Sequence, residues 1–319
     1  MACHGRRVGL AAAVLVLVML GSRTVPLRAQ DANGADPVPG PLILELSSST
    51  RAMALGGAFR VGEGARAVLH HPALIAGEGF GSSRTKIGGA THLALSGSRA
   101  WLGGTVAAGV SFLEYGTSAE SPLALPRDAA VLIGGGHMSA SEYVAALGFA
   151  DELFSVDVGV AAKLIGQRLG GLGGNTVAVD VGAARSIGRV ATALTVQNLG
   201  RGLKLGRYEV PLARRVVVGA GTAGRAPVGP LDVGGAVQIA REGDGDIVPG
   251  AGLEVAWWPV QRRVFIVRIG AVRVAEGDSS PITFGFGFEG DRIRIDYAQR
   301  DYRHEDLGAL SHSIGVAFR

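Results

Sequence analysis

The stretch "SVDVGVAAKLIGQ", Ser155–Gln167, places Val156, Val158, Val160, Ala162 and Leu164 on one face of an extended chain. Asp157, Gly159, Ala161, Lys163 and Gln167 fall on the other. Side chains alternate across a strand with period two, so this segment reads as a two-faced β-strand. "NTVAVDVGA" repeats the pattern, with Val177, Val179 and Val181 opposite Ala178, Asp180 and Gly182. Near the C-terminus Phe284, Phe286 and Phe288 oppose glycines, and Ile293, Ile295 and Tyr297 oppose Arg292, Arg294, Asp296 and Arg300. About fourteen such segments follow one another between residues 89 and 318, among them 89–98, 128–138 and 263–275. Each is about ten to fourteen residues long, whereas strands of soluble proteins cluster near five or six. A strand tilted across a bilayer needs roughly 9–11.

Composition agrees with a membrane-facing sheet. The chain is 47% hydrophobic and only 18% charged, with 51 glycines in 319 residues and a mean hydropathy of +0.30. Outside the first thirty residues it has no apolar run of the length a helical span requires. Apolar residues that are numerous but never continuous must alternate. The opposite face is mostly glycine and alanine with isolated charges at Asp157, Lys163, Asp180, Glu254, Arg292, Arg294 and Asp296. A water-facing sheet would carry far more Lys and Glu, while a crowded lumen takes small residues. An outward Arg or Lys would cost roughly 2–4 kcal/mol at mid-membrane, so charges are expected to avoid the aliphatic face strictly. The fold class read from these features is all-β. It is a single transmembrane antiparallel β-barrel of about fourteen strands, closed because lipid tolerates no unpaired edge. The apolar but irregular "RRVFIVRIGAVRV" suggests a bulge, and 115–128 and 199–211 read as the long loops.

The N-terminus is a different kind of sequence. Arg6 and Arg7 precede an apolar run, Val8–Gly21, and "LRA" at Leu27–Ala29 offers a cleavage site. Residues 1–29 are therefore expected to be a secretory signal peptide, with 30–46 a linker, 47–78 an N-terminal hatch and 79–319 the barrel. The leader holds four of the 31 basic residues and no acid, leaving 27 against 27. No basic surface for nucleic acid remains. The single cysteine, Cys3, also lies in the leader, so no disulfide framework is expected. Localisation is expected to be the outer membrane of a Gram-negative-type bacterium.

"SSSTRAMALGGAF" (Ser47–Phe59) is one turn of helix formers, to be capped by Ser49 or Thr50 and stopped by Gly56 and Gly57. Together with "ARAVLHHPALIA" it resembles the N-terminal signature of the PorV/PorQ family of outer-membrane barrels, relatives of the FadL transporters. "TVQNLGRGLKL" and the closing "IRIDYAQRDYRHEDLGALSHSIGVAF" resemble later parts of that family. The resemblance spans the chain from Ser47 onward. It marks Arg51, Met53, Leu55, Gly56, Gly57, His71 and Pro72 as the hatch motif, His71 replacing the family's asparagine and Glu63 standing for its acidic pair. It implies a docking or assembly component for protein secretion of type IX kind, with outer-membrane lipid, exported proteins and secretion components as partners. The alternative it leaves open is a FadL-like channel for hydrophobic small molecules.

No catalytic chemistry competes with these readings. Gly219, Gly221 and Gly224 match G-x-G-x-x-G, but Pro227 and Pro230 follow where a helix must begin. His70 and His71 are adjacent and point apart on an extended chain, and His92, His137, His304 and His312 lack ligand spacing. No enzyme activity, metal or cofactor is expected.

Overall fold

The computed structural model describes residues 40–58, 63–115, 140–243, 245–273, 281–304 and 307–318; for 302–304 and 307–309 the backbone alone is described. The chain forms strands β1 (Gly79–Ile87), β2 (Ala90–Trp101), β3 (Gly104–Glu114), β4 (Ala140–Leu153), β5 (Val156–Leu169), β6 (Leu172–Ile187) and β7 (Val190–Gly200). A small hairpin of β8 (Leu203–Leu205) and β9 (Tyr208–Val210) follows, then β10 (Arg215–Thr222) and its short continuation β11 (Ala226–Val228). The series ends with β12 (Leu231–Glu242), β13 (Ile247–Val260), β14 (Arg263–Val272), β15 (Ile282–Glu289), β16 (Ile293–His304) and β17 (Leu307–Phe318). Every neighbouring pair is antiparallel. β1 pairs with β17 and β10 with β12, which closes a 14-stranded barrel with β8, β9 and β11 as accessories.

The aliphatic face points outward. Val177, Val237, Phe284 and Ile314 are each at least half exposed, while Ala161, Lys163, Asp180, Glu254 and Asp296 on the alternate faces are buried. A sandwich would reverse this. Among the described residues no helix is long and apolar enough to cross a membrane, so any crossing is made by strands. The barrel has two unlike ends. Residues 102–103, 154–155, 188–189 and 261–262 make tight turns at the end where β1 begins and β17 stops. The strand ends that flank 116–139 and 274–280, and the connection of 201–214, lie at the other. Short turns mark the periplasmic end and long loops the outer end of such barrels. Trp101, Trp257, Trp258, Phe80 and Phe318 are exposed near the short-turn end, as an interfacial girdle would be. Of the other girdle candidates, Tyr143 lies in the outer half of β4 and Tyr297 in the short-turn half of β16.

Four expectations need correction or placing. The first strand is β1, in a stretch whose inward positions are Gly81, Ser83 and Thr85 and whose outward ones include Arg84 and Lys86; it lacks the aliphatic face that reveals the others. The segment 128–138 lies outside the described residues. No bulge interrupts β14: Val264, Ile266, Arg268 and Gly270 face in and Phe265, Val267 and Ile269 face out. Alternation is masked there because both faces are apolar at the short-turn end, where Val264 and Ile266 pack on Ala256. The register shifts fall instead at Trp257/Val260 and Val179/Val181. Finally, charge does not avoid the outer face strictly, since Arg84 is exposed between Leu93 of β2 and Ile314 of β17.

Residues 40–58 and 63–78 fill the lumen as a plug. A 3-10 turn (Leu42–Leu44) leads to a one-turn helix (Thr50–Ala54), then to 3-10 turns at Gly64–Leu69 and Pro72–Leu74. Ser49 caps the helix by accepting from the Ala52 amide at 3.2 Å. Gly56 and Gly57 end it at φ +66° and +78°, where a Cβ would be strained. The plug docks by two unlike surfaces. Val68, Ala73, Leu74 and Ile75 pack in a dry cluster on Ala107, Ala146, Ala150, Ala161 and Ala184 of β3–β6. Against β13–β16 contact is made through glycines: a Cβ on Gly252 would lie 2.6 Å from Leu55 Cα. The glycine and alanine face of the strands is small because plug backbone lies on it.

Candidate functional site: a plugged lumen and its outer vestibule

The inward residues of β13, β14 and β16 build an ionic cluster under the helix. Asp296 takes Arg268 Nη1 at 2.9 Å and Arg294 Nε at 2.8 Å, and Arg66 of the plug approaches it at 3.9 Å. Glu254 receives Arg51 of the plug at 3.3 Å and Arg268 at 3.2 Å. Arg225, carried inward where β10 breaks before β11, meets Glu289 at 2.8 Å. Glu63 completes the ring from within the plug. It accepts from Ser49 Oγ at 2.6 Å and lies 4.0 Å from Arg51. Burial opposes its ionisation, but the guanidiniums of Arg66, Arg51 and Arg294 outweigh burial and hold the carboxyl below the usual carboxylate range. Plug and wall are thus joined by charges whose loss on either side strands a buried partner.

A second polar group fixes the opposite wall. Lys163 pairs with Asp180 at 2.6 Å and donates to Asn198 Oδ1 at 3.2 Å. Asp180 stands at the register shift of β6, and its Oδ1 accepts the Asn198 amide at 2.7 Å; Asn198 has φ +58°. Gln197 donates to the carbonyl of His70, tying the plug to β7. Higher up, Glu142 accepts from the Ile43 amide, Tyr115 Oη and Gln167 Nε2 at 2.7–2.9 Å. Burial lowers His70 to about 4, partly opposed by Glu63, and lowers His71 to about 3. Both imidazoles are neutral in the docked plug and charged in a solvated one below pH 6.5, so docking strength is full above pH 6.5 and falls as pH drops toward 4. Limited proteolysis of the plug is expected to be slow at pH 7.5 and markedly faster at pH 4.5; equal rates would contradict this.

Above the plug lies a cavity of about 500 Å³ on the long-loop side. Its floor includes Leu42, Leu46 and Met53, and its walls include Ile87, Val217 and Val272 together with Arg215, Gln238 and Glu242. The β8–β9 hairpin packs on the long-loop ends of β4–β6, its Leu203, Leu205 and Val210 buried with Ala140 and Leu169. This hairpin occupies the loop 199–211.

The structure brings together Arg51, Glu254, Arg294 and Asp296 in one cluster and Lys163 with Asp180 in another. Met53, Leu55 and His71 are buried in the plug, and Pro72 starts its last turn. One expected lumen charge is not there: Arg292 is exposed on the 290–292 turn. Asp157 keeps the inner face, paired with Ala184, but is exposed because it stands at the short-turn rim. Arg66, Arg225, Arg268 and Glu289 were not singled out from sequence. Arg268 had a signal: it is the lone charge in an apolar run, "FIVRIG". Arg66 and Arg225 lie outside alternating strands and had none. Among the described residues no group of His, Cys, Asp or Glu could hold a metal ion.

A closed antiparallel barrel with an outward apolar belt is the architecture of outer-membrane proteins that cross with strands. No protein-family model matches the chain, and no curated relative matches it in sequence. Solved structures do. The Pseudomonas putida toluene transporter TodX aligns over 84% of this chain and 96% of its own at 12% identity, with a TM-score of 0.52. The monoaromatic hydrocarbon channel CymD aligns over 86% and 98% at 11% identity, with a TM-score of 0.54. At such identities the shared property is the barrel fold alone.

Proposed function

We propose that this protein is a non-enzymatic outer-membrane channel that admits hydrophobic or amphipathic small molecules through a plugged lumen. The observation that carries this is the cavity of about 500 Å³, part apolar and part polar, floored by the plug on the long-loop side. A volume of that order suits one small ligand. The sequence favoured secretion docking because few large apolar residues face the lumen from the strands. The plug supplies them instead, through Leu42, Leu46 and Met53. Relatives in fold that carry hydrocarbons support the same reading, as does an outer-membrane location for the barrel.

The test is uptake by proteoliposomes of labelled toluene and of a medium-chain fatty acid. Val217→Trp, which fills the cavity from β10, is expected to lower uptake by roughly tenfold, as loss of about 1.4 kcal/mol of binding would. Uptake no faster than through protein-free vesicles overturns the proposal. The secretion-docking reading rests on the PorV/PorQ-like motifs and on the scarcity of large apolar residues on the strands' lumen face. It would be favoured if crosslinked outer membranes yielded exported proteins on this chain and no extractable small ligand.

A further inference from the structure

Arg84 breaks the rule that governs the rest of the barrel's outer wall. Other outward-facing charges among the described strand residues, such as Arg99, Arg168, Arg185 and Arg241, lie near strand ends. Arg84 lies four residues from Phe80, or about 10 Å along the normal for a strand tilted about 40°, inside an apolar band about 25 Å tall. It pairs with no carboxylate among the described residues. The wall's register gives it polar company on the long-loop side. One row runs Gln299, His312, Lys86 and Thr91 across β16, β17, β1 and β2. Tyr297, one row below and beside Ile314, reaches His312 Nδ1 with its hydroxyl at 2.7 Å. Leu93, Ile314 and Phe286 flank Arg84 in its own row, and Leu95 and Val316 continue the wall beneath.

We propose that Arg84 and Lys86, with His312 and Tyr297 beside them, form an external binding site for the phosphorylated headgroup of an anionic lipid in the outer half of the bilayer. Charge complementarity selects this occupant. Two cations one turn of the pleat apart on the same face suit a phosphate, and the His312 imidazole, its Nδ1 engaged by the Tyr297 hydroxyl, can add a donor through Nε2. The apolar rows below suit acyl chains. A second copy of the chain fits poorly, because a two-fold contact centred on this face would set Arg84 and Lys86 against their own equivalents. Arg84 is then satisfied by a ligand, and its long stem lets the guanidinium reach toward headgroup level.

The full chain in nanodiscs of phosphatidylcholine with a minor share of phosphatidylglycerol, examined by native mass spectrometry, tests this. Each cation is worth roughly fivefold at an anionic leaflet, so the wild type should retain phosphatidylglycerol over phosphatidylcholine by about 25-fold. Arg84→Gln/Lys86→Gln should retain both alike, and Arg84→Lys should keep the preference. Heat-modified migration of the double variant in pure phosphatidylcholine, unchanged from wild type, shows that its barrel is intact. Equal enrichment in the double variant, or none in the wild type, overturns the site. So does efficient disulfide dimerisation of Arg84→Cys in phosphatidylcholine, which would assign the face to a second copy.

Discussion

Replacing Asp296 with alanine is expected to free the plug and leave an open barrel. Asp296 is 1% exposed and is the carboxylate on which Arg268, Arg294 and Arg66 converge. Removing one partner of a buried pair costs about 3–5 kcal/mol because the other charge stays buried and uncompensated. Here three guanidiniums would repel one another beneath the helix. The cheapest relief is for the plug to withdraw Arg66 and Arg51 into water. The barrel wall should survive, since the ladder of β16 to β15 and β17 uses backbone groups alone. Planar-bilayer recordings should show a large steady conductance in Asp296→Ala and none in the wild type. Trypsin should cut at Arg51 or Arg66 in the variant first. Asp296→Asn keeps the shape and loses the charge, so it should open nearly as far. A closed, protease-resistant Asp296→Ala would mean that the cluster does not hold the plug.

Gly252→Val should open the same barrel by sterics alone. Its Cβ would lie 2.6 Å from Leu55 Cα and carbonyl oxygen, a contact that no rotamer change relieves, since both atoms are plug backbone. Overpacking of this kind typically costs about 1–3 kcal/mol where surroundings can shift; here the movable neighbour is the plug itself. Leu55 and the Gly56 amide, bonded to Thr283 Oγ1 at 3.2 Å, would lift from β13–β15. Gly171→Ala is the control, because nothing lies within 4 Å of a Cβ there. Conductance and plug proteolysis should both rise in Gly252→Val and stay at wild-type values in Gly171→Ala. The two variants also separate causes: Asp296→Asn removes charge without adding bulk, and Gly252→Val adds bulk without removing charge.

Much of this architecture was legible because a strand's period is two and lipid accepts only one kind of face. Val177, Val179 and Val181 against Ala178, Asp180 and Gly182 define in, out and membrane without any tertiary knowledge. The strand most easily missed was β1, where Arg84 and Lys86 occupy outward positions and erase the contrast. Similarly, β14 concealed its alternation behind an apolar stretch of lumen. The cluster was half visible. Glu254, Arg294 and Asp296 could be assigned to the inner face by parity, but parity does not say which inner charges meet.

What the chain by itself determined is sidedness, strand length and a helix too short to be anything but a plug element, because these follow from nearest-neighbour geometry along the backbone. Only the closed barrel decided the partners. Curling the sheet brings Arg51 to Glu254 across 203 residues and Thr50 to Ser313 across 263. It also brings Lys86 beside His312 by joining β1 to β17. Such contacts depend on register around a ring, a sum over every pairing, and no local stretch of sequence carries that sum.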